Sequence, residues 1–170
     1  MSIRTLLLAV RNTLRNEIAD NEEYGIIETE IDVRGDQGRP PPDFAWKFLA
    51  VHCVEWQPGD IRGELGLHEV YTVGVTLTVK SGQIPDAELQ HWEYYMQGGG
   101  MESILRACIA AIHQNYDIIT LANTLLPNPL ADMHQKHLVW IGNDPEPRLE
   151  GPDWVSCDDE TEVYGGYVQT

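Results

Sequence analysis

Apolar residues first recur along this chain at helical spacing. Wound at 3.6 residues per turn, residues 2–20 place Ile3, Leu6, Leu7, Val10, Leu14 and Ile18 on one stripe, with Ser2 as a cap for the first turn. The period then changes. Residues 24–33, YGIIETEIDV, partly alternate and predict a strand. Arg34–Phe44, RGDQGRPPPDF, carries two glycines and three consecutive prolines, which exclude regular structure and predict a long, stiff loop. Trp46–Trp56, WKFLAVHCVEW, is rich in β-formers and reads as a central strand. After the breaker QPGDIRGELG, Leu67–Lys80 alternates. Val70, Thr72, Gly74, Thr76 and Thr78 share one face, and Tyr71, Val73, Val75, Leu77 and Val79 share the other. The ten-residue connection between these two runs predicts an antiparallel pair.

The stretch KSGQIPDAELQHW, Lys80–Trp92, ends that strand and starts a helix. Gly82 permits a sharp turn. Pro85 suits a first helical turn, where its missing N–H costs nothing, and Asp86 and Glu88 sit where the helix dipole favours negative charge. Leu89, Trp92 and Met96 share a face before QGGG, Gln97–Gly100, stops the helix. Ile104, Leu105, Cys108, Ile109 and Ile112 form the stripe of another helix. HLVWIG, His137–Gly142, and TEVYGGYVQT, Thr161–Thr170, predict two late strands. Helix, strands, helices, strands is the order of an α+β domain: one domain over residues 1–170, its mainly antiparallel sheet covered by helices on one face.

Charge changes the picture. Eleven Lys and Arg against 27 Asp and Glu give a net charge of −16, a field that repels phosphate backbones and argues against sequence-specific nucleic-acid binding. From about residue 144 the chain is acidic (Asp144, Glu146, Glu150, Asp153, Asp158, Asp159, Glu160 and Glu162, with Arg148 the one base) and reads as a solvated tail or loop, or as an acidic docking patch. No apolar run is long enough to span a bilayer, so no membrane partner is expected. Three distant cysteines, Cys53, Cys108 and Cys157, argue for free thiols in a reducing compartment.

Candidate chemistry is sparse. No phosphate-cradling loop, nucleophile elbow or Cys-x-x-Cys pair occurs. The triplet Arg34-Gly35-Asp36 matches a cell-adhesion tripeptide, but triplets are common by chance and it is read as loop. His134 and His137 could share a helical face as metal ligands, yet no carboxylate motif accompanies them. His52 and Cys53 are neighbours in a predicted strand, so they point to opposite faces and do not make a catalytic pair. No catalytic, cofactor-binding or metal residue is assigned. What remains is loops, aromatic residues and charge, the features of an assembly protein.

In order, RPPPDF, the strand KFLAVHCVEW, the acidic loop GDIRGELG, the strand EVYTVGVTLTV and the helix start QIPDAELQHW resemble the tail terminator proteins of lambda-like long-tailed bacteriophages. The resemblance covers residues 39–96, and the first helix more loosely. It implies a structural virion protein at the head-proximal end of the tail, made in the host cytoplasm. Such a protein forms a ring, usually a hexamer, on the finished tail tube. It stops addition of tube protein and offers the surface to which the head, through its completion or connector protein, attaches. Arg34, Arg39 and Arg62 lie in loops beside Asp36, Asp60 and Glu64. These six are the expected subunit or partner interface, where arginines bridge to acids on the adjacent subunit. A head–tail joining (neck or head-completion) protein is the alternative reading, and a small metal-dependent enzyme is a second.

Overall fold

The first stripe winds as α1, Ile3–Ile18, with Leu7, Val10, Leu14 and Ile18 buried. Thr5, Ala9 and Thr13 join them, because a helix lying flat on a sheet buries a wider face than its apolar stripe alone. A computed structural model describes residues 3–35, 37–58, 69–80, 91–114, 148–158 and 161–169. The strand expected over 24–33 is shorter: a 3₁₀ turn occupies Glu28–Glu30 and only Ile31–Val33 is extended, as β1. The carboxylate of Glu30 accepts the Ala45 N–H at 3.0 Å, and Ile27, beside buried Ile26, is left 53% exposed.

The two central runs form β2, Lys47–Pro58, and β3, Glu69–Lys80, paired antiparallel as expected. Leu49 faces Leu77 and Val51 faces Val75 across the ladder. β4, Arg148–Asp158, and β5, Thr161–Gln169, complete a five-stranded sheet in the order β1-β2-β3-β5-β4. Among the described strands only the β1–β2 pair is parallel. The fold is α+β and mainly antiparallel. β4 corrects the reading of 148–158 as acidic tail or loop. Gly151 and Pro152 hid the strand; they lie in a register shift between Glu150 and Asp153, where a bulge lets the ladder pass a residue that cannot donate. The other expected late strand, 137–142, lies outside the described residues.

All helices described lie on one face. α1 packs there with α2, His91–Met96, and α3, Met101–Gln114, over Leu49, Val51, Val73, Val75, Leu77 and Val79. In α3, Ile104, Leu105, Cys108 and Ile112 are buried, as their spacing predicts. α2 is different. Met96, expected on its apolar face, is 57% exposed, while Tyr94 and Tyr95 are buried. Leu89, also expected on that face, lies outside the described residues.

The opposite face of the sheet is covered by the proline loop. Phe44 meets Phe48 edge-on, with ring centroids 6.2 Å apart, and both are buried together with Ala50. Lys80 donates through Nζ to the Phe44 carbonyl and lies 4.4 Å from the centre of the Phe44 ring. The sequence of Arg34–Phe44 predicts a stiff loop, which needs an anchor to lie against a sheet. Phe44 gives it one. The breaker Gln57–Gly66 lies outside the described residues beyond Pro58.

Candidate interaction surface

Arg34 follows β1 directly, and its backbone N–H donates to the Val51 carbonyl at 2.9 Å, prolonging the β1–β2 contact by one bond. The chain then reverses through Gln37 (φ 50°) and Gly38 (φ 80°). The Nε of Arg34 donates across this turn to the Arg39 carbonyl at 3.0 Å, so one turn presents both arginines. Gly38 is required there twice over. Its φ is left-handed, and an added Cβ would stand 2.7 Å from the His52 ring.

The remaining arginine pairs define this turn by contrast. Arg11 bridges to Asp32 at 3.2 Å, Arg15 reaches Glu28 at 3.4 Å, and Arg106 holds Glu102 at 2.6 Å one helical turn away. Among the described residues, the guanidinium groups of Arg34 and Arg39 have no carboxylate partner. Arg34 is half-buried and Arg39 exposed. Of the six interface residues expected from sequence, the structure brings these two together; Asp36, Asp60, Arg62 and Glu64 lie outside the described residues.

Sequence reasoning missed a second feature. β1 pairs with β2 only at Leu49–Val51, and β5 pairs with β3 only from Gly74 to Lys80. Residues 53–58 and 69–73 therefore continue as a two-stranded ribbon with no further strand beside it among the described residues. A register shift at Val54 bends its root. Val54 is 36% and Trp56 54% exposed, and Glu55 between them is exposed. The sequence of β2 gives no sign of it: Val54-Glu55-Trp56 reads apolar, polar, apolar, like any half-buried strand.

Two buried basic groups serve the fold. Lys47 donates to the Tyr24 carbonyl at 2.6 Å, with its Nζ 4.1 Å from the centre of the Trp46 ring and 5.9 Å from that of Tyr94. Burial lowers its pKa to about 8, and burial raises that of Tyr94 to about 12. The lysine is committed to a backbone acceptor and two aromatic faces. His52 is buried under Gly38, with Nε2 2.9 Å from the Thr76 hydroxyl. Cys53 packs toward the helices, on the other face, as the strand reading required, and burial raises its thiol pKa. Among the described residues no three His, Cys, Asp or Glu side chains gather as a metal site, and no helix is long and apolar enough to cross a membrane. His134 and His137 lie outside the described residues.

Burial holds the His52 pKa below its ordinary value near 6.5. The unfolded chain therefore takes up the proton first as pH falls. The contribution of His52 to stability is complete above about pH 6.5 and declines as the pH drops from there through the lowered native value. Urea titrations at pH 7.5 and pH 5 are expected to show this loss, with a smaller difference in a His52→Gln variant.

A scan against protein-family models and searches of curated proteins and of solved structures find no match to this chain.

Proposed function

We propose that this protein is a structural assembly subunit of the tail terminator kind, forming a ring that caps a phage tail tube and presents the surface for head attachment. The observation that carries the reading is the ribbon. Its strands run past their neighbours and leave Val54 and Trp56 36% and 54% exposed, an apolar surface suited to a contact with another molecule. The order of proline loop, long strand pair and Pro-Asp-x-Glu-Leu-x-x-Trp helix start supports the tail terminator among assembly proteins. The charge of −16 suits a channel through which DNA passes without sticking.

The reading is tested by electron microscopy of particles assembled without this protein. Overlong tails and unattached heads are the expected result. Tails of normal length on particles that fail at the head side would assign it to the neck instead. Stoichiometric zinc or manganese in the purified protein, with normal particles, would remove the structural reading.

A further inference from the structure

We propose that residues 37–43 form a strap that acid lifts from the sheet, with His52 beneath them as the group that responds. The strap would act in the same way whether or not the chain caps a tail tube.

It has two anchors. At one end the Arg34 N–H donates to the Val51 carbonyl at 2.9 Å. At the other, Phe44 is buried with Phe48 and Ala50, and Lys80 donates to its carbonyl. Between the anchors Gly38 is the one described residue that is buried; the others are exposed or half-buried. The hydrogen bonds of this stretch, among the described residues, stay within the loop. Gln37 N–H donates to the Gly35 carbonyl at 2.9 Å, Arg34 Nε to the Arg39 carbonyl at 3.0 Å and Phe44 N–H to the Pro41 carbonyl at 3.3 Å. Raising Gly38 therefore breaks none of these bonds to the sheet, and the core lies on the other face, against the helices.

The group that Gly38 covers is the His52 ring. Two glycines hold it closely. A Cβ on Gly38 would stand 2.7 Å from its Cδ2, and one on Gly74 would stand 2.8 Å from its Cε1. Nε2 lies 2.9 Å from the Thr76 hydroxyl, and the residue is 2% exposed. β3 meets the ring with Gly74 and Thr76, neither of them charged, and the neighbouring Cys53 packs toward the helices. The described charges of the loop are Arg34, Arg39 and Asp43. None of them contributes to the His52 pKa, which burial lowers and a hydrogen bond with the Cys53 backbone raises to a smaller extent.

Lifting the strap admits water to the ring and returns its pKa toward the ordinary value near 6.5. The lifted form then binds a proton that the closed form resists. A fall in pH through about 6.5 shifts the population toward the lifted form until the lowered native value is reached, where the gain stops. Opening the strap alone costs less than opening the sheet, so the loop responds before the strands do.

Amide hydrogen exchange on the full chain, at pH 7.5, 6.5 and 5.5 and corrected for the intrinsic pH dependence of exchange, tests the proposal. The exchange of Gln37 is expected to rise up to about tenfold from pH 7.5 to pH 5.5, while Leu49 and Val51 stay unchanged. His52→Gln, whose side chain does not titrate, should leave the loop independent of pH over this range. Loop exchange that is flat in the parent chain would overturn the proposal whether or not the variant folds. So would loop and strand amides that quicken together, which marks opening of the sheet, or an equal rise in His52→Gln, which assigns the response to another group.

Discussion

Gly100→Ala is expected to destabilise the fold by several kcal/mol, the largest effect of any single added methyl group considered. A Cβ at this position would stand 2.0 Å from the carbonyl oxygen of Tyr94 and 2.9 Å from that of Gln97. Both are backbone atoms, so no side chain can swing aside, and relief requires moving α2 against α3. That movement would disturb Tyr94, which is buried, and the bonds that join the helices, Gly100 N–H to the Gln97 carbonyl at 2.9 Å and Ile104 N–H to the Gly100 carbonyl at 3.1 Å. Overpacking in a core costs about 1–3 kcal/mol, and rigid backbone on both sides places this site above that range. The neighbouring glycine is the control. A Cβ at Gly98 meets nothing within 4 Å, so Gly98→Ala should change the midpoint of urea unfolding little while Gly100→Ala shifts it strongly. Equal midpoints for the two variants would contradict the close approach.

Phe44→Ala is expected to release the proline loop from the sheet. Truncating a buried phenylalanine typically costs about 3–5 kcal/mol. Here the loss falls on a small cluster, Phe44, Phe48 and Ala50, that anchors the end of the loop to the sheet. The Lys80 ammonium would lose the ring it rests on, though not its carbonyl acceptor. Hydrogen exchange at residues 37–44 should quicken far more than at Leu49–Val51, which is held from the other face. Unchanged exchange in the loop would show that prolines and backbone bonds hold it without Phe44.

The parts of the fold legible in the sequence are those where one face is apolar over several turns or many alternations. β3 is the clearest case: four β-branched or leucine side chains, Val73, Val75, Leu77 and Val79, all enter the core, and a one-residue slip in register would turn all four away from it. The stripes of α1 and α3 were legible for the same reason. The inward side of α2 was not: Tyr94 and Tyr95 are buried and Met96, on the expected apolar stripe, is exposed. β4 was obscured by acids, Gly151 and Pro152, residues disfavoured in strands, which the bulge accommodates. Of the candidate site, the charges of Arg34 and Arg39 were readable, but their union on one turn depends on the Arg39 carbonyl and on the left-handed Gln37 and Gly38, which no periodicity encodes. The ribbon depends on where β1 and β5 stop, a property of the neighbouring strands and invisible in the sequence of β2 itself.

The strand order also fixes a timetable. β2 and β3 are hairpin neighbours and can pair as soon as both exist, but the other edge of β3 is covered by β5, whose Tyr164 and Gln169 pair with Val79 and Gly74. Until residues 161–169 leave the ribosome, β3 keeps an open row of N–H and C=O groups along Gly74–Lys80. Closing so long a loop is slow, and an open β-branched edge is a template for pairing with another nascent chain. The interval between synthesis of β3 and synthesis of β5 is therefore when this protein is most exposed to misassociation, and translation pauses over residues 115–160 should lower its soluble yield more than pauses before β2.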